Sequence, residues 1–135
     1  MNHPFRILSL ALLIASATPG FAQTPAETLN GLKQAATQTG GFSGFSATRG
    51  EQFFKATHAN DWSCATCHTQ NPAAQGKHTR TGKILLPLSP NTNPERFTDQ
   101  AKVDKWFKRN CKDVLDRECT ALEKGDVLTY LMSLK

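Results

Sequence analysis

Residues 64–68 read Cys-Ala-Thr-Cys-His, and the reading of those five letters decides what the rest of the chain must be. Two thiols separated by two residues and followed at once by an imidazole suit three chemistries: a redox dithiol, half of a zinc site, or covalent attachment of a haem. A thioredoxin-type dithiol sits in a βαβ unit, and no such pattern surrounds this motif. A zinc site needs a second ligand pair, and the other two cysteines, Cys111 and Cys119, are eight apart with no companion histidine. Haem attachment needs neither. Thiols at this spacing reach the two vinyl groups of one haem as thioethers, and the adjacent histidine binds the iron from the same side. The motif predicts one covalent haem c on Cys64 and Cys67, with His68 as proximal ligand.

The start of the chain sets the compartment in which those thiols react. Arg6 precedes an apolar run from Ile7 to Ile14, then small residues and ATPGFAQ. A basic start, a short apolar stretch and a small-residue exit describe a secretory signal peptide, and the run is too short to cross a bilayer. Residues 1–22 are therefore expected to be removed, with cleavage after Ala22 or, alternatively, after Ala17, and no membrane span remains afterwards. Export implies a periplasmic or secreted protein whose remaining thiols pair or are capped. At 135 residues the chain is one domain. Loss of Arg6 leaves 15 basic against 11 acidic residues, a net +4. The signs alternate instead of forming a basic block, so nucleic acid is not expected as a partner, whereas an acidic surface on another protein is.

Outward from the motif the pattern is helical. Ala26 to Thr37 carries Leu29, Leu32 and Ala36 at helical spacing and stops at Gly40-Gly41, and the stretch GGFSGFS reads as a flexible linker. Residues 23–45 thus form a helical extension with its linker, and residues 46–135 form the main domain. Thr48 with Glu51 predicts a capping box opening a helix to about Thr57. Residues 69–94 hold four prolines and two glycines with no sustained period. A loop of that length needs something other than protein to wrap. Helix resumes after Thr98, with Val103, Trp106 and Phe107 on one side, and is expected to stop near Asn110. Thr120 with Glu123 is a second capping box, opening a last helix with Val127, Leu128, Leu131 and Leu134 on its apolar face. No alternating strand pattern is present. The expected fold is all-α, about four to five helices around the haem.

Over residues 46–135 the chain resembles the class I cytochromes c. Gly50 and Phe54 look like that family's first helix, and Tyr130-Leu131 like its last, and the resemblance implies that the two cross. An ordinary member offers a methionine to the far side of the iron from the loop between its last two helices. Here Met1 leaves with the signal and Met132 lies inside the last helix. His58 and His78 remain as candidates, though neither lies in that loop. Asn110 opens the segment from Asn110 to Cys119 between the last two helices, where it is either the sixth ligand or an asparagine capping a helix end.

The stretch KHTRTGKILLPLSPNTNPERFTDQAKVDKWFKRNC, residues 77–111, together with Arg117-Glu118-Cys119, resembles the SHP-type cytochromes c, the sphaeroides haem protein family. That resemblance implies a high-spin monohaem protein. It assigns His68 as proximal ligand, Asn110 as distal ligand, and a disulfide between Cys111 and Cys119. It implies that the asparagine leaves on reduction and opens a site for diatomic molecules. It also implies electron exchange with a dihaem cytochrome c and a membrane cytochrome b. An amide oxygen is a hard, weak-field donor that suits ferric iron better than ferrous, which is consistent with such release. Lys77, His78, Arg80, Lys83 and Arg96 are candidates to neutralise the haem propionates, and Trp106 is expected to pack near the haem.

The expected function is electron carriage coupled to reversible binding of oxygen, nitric oxide or carbon monoxide. An ordinary bis-histidine carrier using His78 or His58 is the alternative. A haem enzyme ranks last, because no distal His-Arg pair is present to cleave a peroxide.

Overall fold

The structure is a computed structural model that describes residues 23–135. The signal peptide expected over residues 1–22 lies outside the described residues. Five helices and one short ribbon follow in chain order: α1 (Pro25–Thr37), α2 (Ala47–Lys55), α3 (Cys64–His68), β1 (Gly76–Lys77), β2 (Ile84–Leu85), α4 (Gln100–Leu115) and α5 (Ala121–Ser133). The all-α expectation holds. The ribbon, with Gly76 opposite Leu85 and Lys77 opposite Ile84, adds two residues per strand. That is too short to leave an alternating signal in the sequence.

The core begins where α2 crosses α5. Gly50 lies flush on the backbone of Asp126 and Val127, and a Cβ there would collide with the Asp126 carbonyl. Beside that contact Phe54, Tyr130 and Leu131 are buried together with Ala65 of α3 and Val127. The Phe54 and Tyr130 rings sit 5.7 Å apart, within the range of favourable aromatic pairing. Leu128 and Leu131 are fully buried, each contributing about 2 kcal/mol of apolar transfer. The crossing of first and last helices implied by the class I resemblance is therefore present.

Asp126 ties this crossing to the preceding segment. Its buried carboxylate accepts from Ser46 N at 2.7 Å and from Arg49 Nε and Nη2 at 2.7 and 2.9 Å, while Arg49 Nη2 also donates to Gly44 O. The GGFSGFS segment is accordingly anchored at its end, with the Phe45 ring filling the space over Gly125. A cluster of alternating Gly and Phe reads as a linker by composition. The glycine that receives Phe45 lies 80 residues away, which composition cannot show.

Two helix boundaries differ from expectation. The cap of α2 is Ser46, whose hydroxyl accepts from Arg49 N at 3.3 Å. Glu51 is not used for a Thr48 capping box but pairs with Lys55 Nζ at 2.6 Å. More consequentially, α4 does not stop near Asn110. It runs on to Leu115 and ends at Asp116 in the left-handed conformation, φ 58°. Cys111, Val114 and Leu115 continue the buried i, i+4 face begun by Val103 and Phe107, and that burial overrides the capping habit of asparagine. The capping box at Thr120 and Glu123 is present, and Arg117 Nη2 meets the Glu123 carboxylate at 2.7 Å.

Helix α1 packs on α5 and buries Thr28 and Ala36. Its start is secured by a capping box, with Thr24 and Glu27 satisfying each other's backbone donors and Pro25 in the first turn. Helix α4 packs through side chains: Phe107 lies against the Phe54–Tyr130–Leu131 cluster, and Cys111, Val114 and Leu115 pack with Phe53 of α2 and with Trp62.

Candidate haem-binding site

The Cys-x-x-Cys-His motif is shaped by its own neighbours. Ser63 caps α3: its hydroxyl accepts from Thr66 N at 3.0 Å, and Thr66 Oγ1 accepts from Ser63 N at 2.9 Å. These bonds hold a single helical turn, ended by Thr69 at φ 63°, that could not persist on propensity alone. One turn brings Cys64 and Cys67 onto the same side as i, i+3 neighbours. Neither is in a disulfide. Ala65 is buried in the core with Phe54 and Tyr130.

Burial pushes the Cys64 thiol up to about 11, so it stays protonated at neutral pH. The His68 imidazole is pushed down to about 4, first by burial and then by the charges of Arg96 and His78. It is therefore neutral, with a nitrogen lone pair available to a metal, and its ring lies 6.4 Å from that of Phe54.

The long loop folds back over the motif. Gly76 lies against the carbonyl of Cys67, where any Cβ would collide with it. The Thr79 hydroxyl sits 3.2 Å from Cys67 Sγ. Pro72 O accepts from Leu88 N and Ser89 N at 2.8 and 3.2 Å, and the buried Ser89 hydroxyl donates to Leu131 O at 3.0 Å. The loop is thus tied both to itself and to α5. Gly76 escaped the sequence reading because a lone glycine in a proline-rich loop has many explanations.

The five cationic or imidazole candidates for the propionates separate. Arg80 lies over the Trp62 ring at 4.7 Å, and the amide of Thr81 donates to His78 Nδ1 at 3.3 Å. Lys77 and Lys83 are exposed. Arg96 is half-buried, donating to Pro87 O at 2.9 Å and Leu86 O at 2.8 Å, with no carboxylate in ion-pair range among the described residues. Desolvation lowers its pKa, and a guanidinium so placed suits an added anion. A haem fits this donor set: two free thiols on one turn, a neutral imidazole, and a desolvated cation whose charge the fold does not balance.

The remaining candidates fall as follows. Asn110 is exposed on α4, one turn after Trp106, and directly precedes the buried Cys111. Trp106 is 47% exposed between Lys105 and Arg109, each 5.8 Å from its ring. Cys111 and Cys119 form a disulfide, which removes them from any zinc site. That bond is buried with Val114 and Leu115, and Phe53, Trp62 and Phe107 pack against it. His58 is held at the end of α2, with its Nε2 2.9 Å from Phe53 O and its ring 4.8 Å from that of Phe53.

Residues 40–131 match the family described as a domain of unknown function, DUF1924. The cytochrome c-type protein SHP of Cereibacter sphaeroides is 38% identical over 130 residues, covering 93% of this chain and 96% of that protein. A structure of oxidised SHP, an oxygen-binding cytochrome c, superposes at TM-score 0.72 with 39% identity over 82% of this chain and 96% of the other. The solution structure of Methylophilus methylotrophus cytochrome c'', which concerns the structural basis of haem-ligand detachment, superposes at TM-score 0.71. It shares 34% identity over 81% of this chain and 92% of that one. With the family match over residues 40–131, these identities and the shared fold, the chain belongs to the DUF1924 family and is a haem c protein of the SHP-type cytochromes.

Proposed function

We propose that the protein is an exported, periplasmic monohaem cytochrome that carries an electron and, when reduced, binds a small diatomic molecule such as oxygen at a position vacated by Asn110. The haem supplies an iron that alternates between ferric and ferrous and accepts ligands on both faces. His68 holds one face, its imidazole neutral at any physiological pH because burial opposes protonation. Asn110 holds the other through its amide oxygen. Arg96 balances a propionate, and Trp106 shields the distal side one turn from Asn110.

The observation that carries the reading is the position of Asn110. Its side chain leaves the protein surface beside a residue that cannot move, because Cys111 is bonded to Cys119 in the second hydrophobic cluster. The backbone at 110 is tied down through its neighbour while the amide is not buried, which suits a ligand that must attach and detach without unfolding its helix. The relative described as an oxygen-binding cytochrome c supports the same reading. By resemblance, the electron partners are a dihaem cytochrome c and a membrane cytochrome b. The protein is then a carrier and gas-binding protein, not an enzyme.

Optical spectra of ferric and ferrous protein, with and without carbon monoxide, test this in wild type and Asn110→Ala. The ferric wild type should be high-spin or mixed-spin, and Asn110→Ala should change it while leaving the ferrous, ligand-free spectrum unaltered. A six-coordinate low-spin ferrous spectrum that survives Asn110→Ala and disappears in His78→Ala would overturn the assignment.

A further inference from the structure

Helix α4 bears the distal ligand and packs through one buried face, made by Val103, Phe107, Cys111, Val114 and Leu115. Two ties near its ends supplement that face. One is the Cys111–Cys119 disulfide. The other lies at its start, where three hydrogen bonds join the beginning of α1 to residues 97–100. Thr28 Oγ1 donates to Phe97 O at 2.9 Å, Gln23 N to Thr98 O at 3.1 Å, and Gln23 Nε2 to Gln100 Oε1 at 3.0 Å. Thr28 is 1% exposed, so its bond is shielded from water.

The accepting residue is strained. Phe97 has φ 61°, a conformation costly for a side chain with a Cβ and retained only where the surroundings impose it. The surroundings here are the Thr28 hydroxyl on its carbonyl and the Phe107 ring, 6.4 Å from its own. Phe107 lies on α4, three residues before Asn110 and four before Cys111. The strained corner at Phe97 thus joins α1 to the body of α4 through both backbone and side chain.

We propose that α1 is a latch on the ligand-bearing helix, in which Thr28 is a positioning residue that restrains Asn110 from leaving the iron. The proposal rests on Asn110 being the distal ligand. The disulfide and the buried residues around it hold the C-terminal part of α4, and the tie at its start limits how far the helix can turn about that part, which bears on the direction of the Asn110 side chain. A rotation of about 10° moves a side-chain tip by about 1 Å on a helix whose side chains reach about 5–6 Å from its axis. That is enough to break an iron–amide bond. Thr28 touches neither haem nor ligand, so its effect appears in ligand exchange and not in haem attachment.

Cyanide binding to the ferric protein reads the latch, because cyanide must displace Asn110. Thr28→Val keeps the shape and removes the hydroxyl. Its cyanide on-rate should rise about fivefold, the ratio matching the net loss of one hydrogen bond. Thr28→Ser should return to within twofold of wild type. Ser89→Ala removes a different buried hydrogen bond, to Leu131 O, and should lower stability without changing the rate. If Thr28→Val does not mature, the exposed Gln100→Ala removes one link of the latch without disturbing the core and should raise the rate about twofold. Asn110→Ala separates the two ideas. If it alters the ferric spectrum and abolishes the effect of Thr28→Val, both stand. If it alters the spectrum while the Thr28 and Gln100 variants bind cyanide at the wild-type rate, the latch alone falls. If Asn110→Ala has the wild-type spectrum, the ligand assignment falls and takes the latch with it.

Discussion

Replacing both Cys111 and Cys119 by alanine should lower the stability of the ferric protein by about 4 kcal/mol, in two separable parts. The bond closes a loop whose ends are eight residues apart, so nine residues lie within it. Releasing that constraint lets the unfolded chain regain about 2.5 kcal/mol of conformational entropy at 25 °C in the chain-entropy treatment. The second part comes from the folded state. Both cysteines are buried, packed with Val114 and Leu115 under Phe53, Trp62 and Phe107, and removing two sulfur atoms leaves space that these rings cannot wholly refill. Small truncations of this kind cost roughly 0.5–1.5 kcal/mol apiece. The double variant is the cleaner test, since a single one leaves a free thiol able to link two molecules. Urea unfolding followed at once by far-UV circular dichroism and haem absorbance gives the difference, provided both probes report one transition. A loss below about 1 kcal/mol would refute both parts, for it would mean that the loop 111–119 remains ordered in the unfolded chain and that the sulfurs pack against little.

Gly50→Ala should cost about 2–3 kcal/mol or prevent maturation, because the new Cβ meets the Asp126 carbonyl and α2 cannot stay in place; an unchanged melting temperature would show that the helices do not cross there. Glu123 has a pKa below the ordinary carboxylate value, held down first by the Arg117 guanidinium and then by the Thr120 cap. Its contribution is therefore complete above about pH 4.5 and is lost as pH falls through its lower folded value. Glu123→Gln should accordingly be less stable than wild type at pH 7 and should converge with it on acidification. A constant difference from pH 7 to pH 3 contradicts the pairing.

The sequence disclosed the parts whose signal is local. Cys64, Cys67 and His68 are adjacent, so their chemistry could be read without knowing the fold. The α5 cap, Thr120 with Glu123, and its apolar face also lie within one stretch. What stayed hidden depends on distant partners. Asn110 looked like a helix end because asparagine often is one, and only the burial of Cys111, Val114 and Leu115 shows why α4 continues through it. Phe45 looked like part of a linker because its receiving glycine, Gly125, is 80 residues on. Lys77, His78, Arg80, Lys83 and Arg96 were all candidates on paper, with Arg80 and Lys83 foremost, and three-dimensional placement separated Arg96, half-buried and unbalanced, from Arg80 on Trp62.

The same distinction bears on the proposed lability of the distal side. The proximal side is held along its whole length: α3 is capped by Ser63, Ala65 is packed into the core, Gly76 presses on the Cys67 carbonyl, and the thioethers add two covalent ties. Helix α4 has a buried face of its own, but the side that carries Trp106 and Asn110 is exposed. Local opening begins where buried contacts are fewest. With Asn110 as the proposed distal ligand, its exposed position on α4 favours exchange on that face of the iron while the packed α3 side keeps its ligand. A methionine in place of Asn110 would test whether ligand type or helix freedom sets the exchange. If the freedom of α4 dominates, the thioether too should be displaced readily by cyanide. If ligand type dominates, Asn110→Met should give a low-spin protein that exchanges slowly.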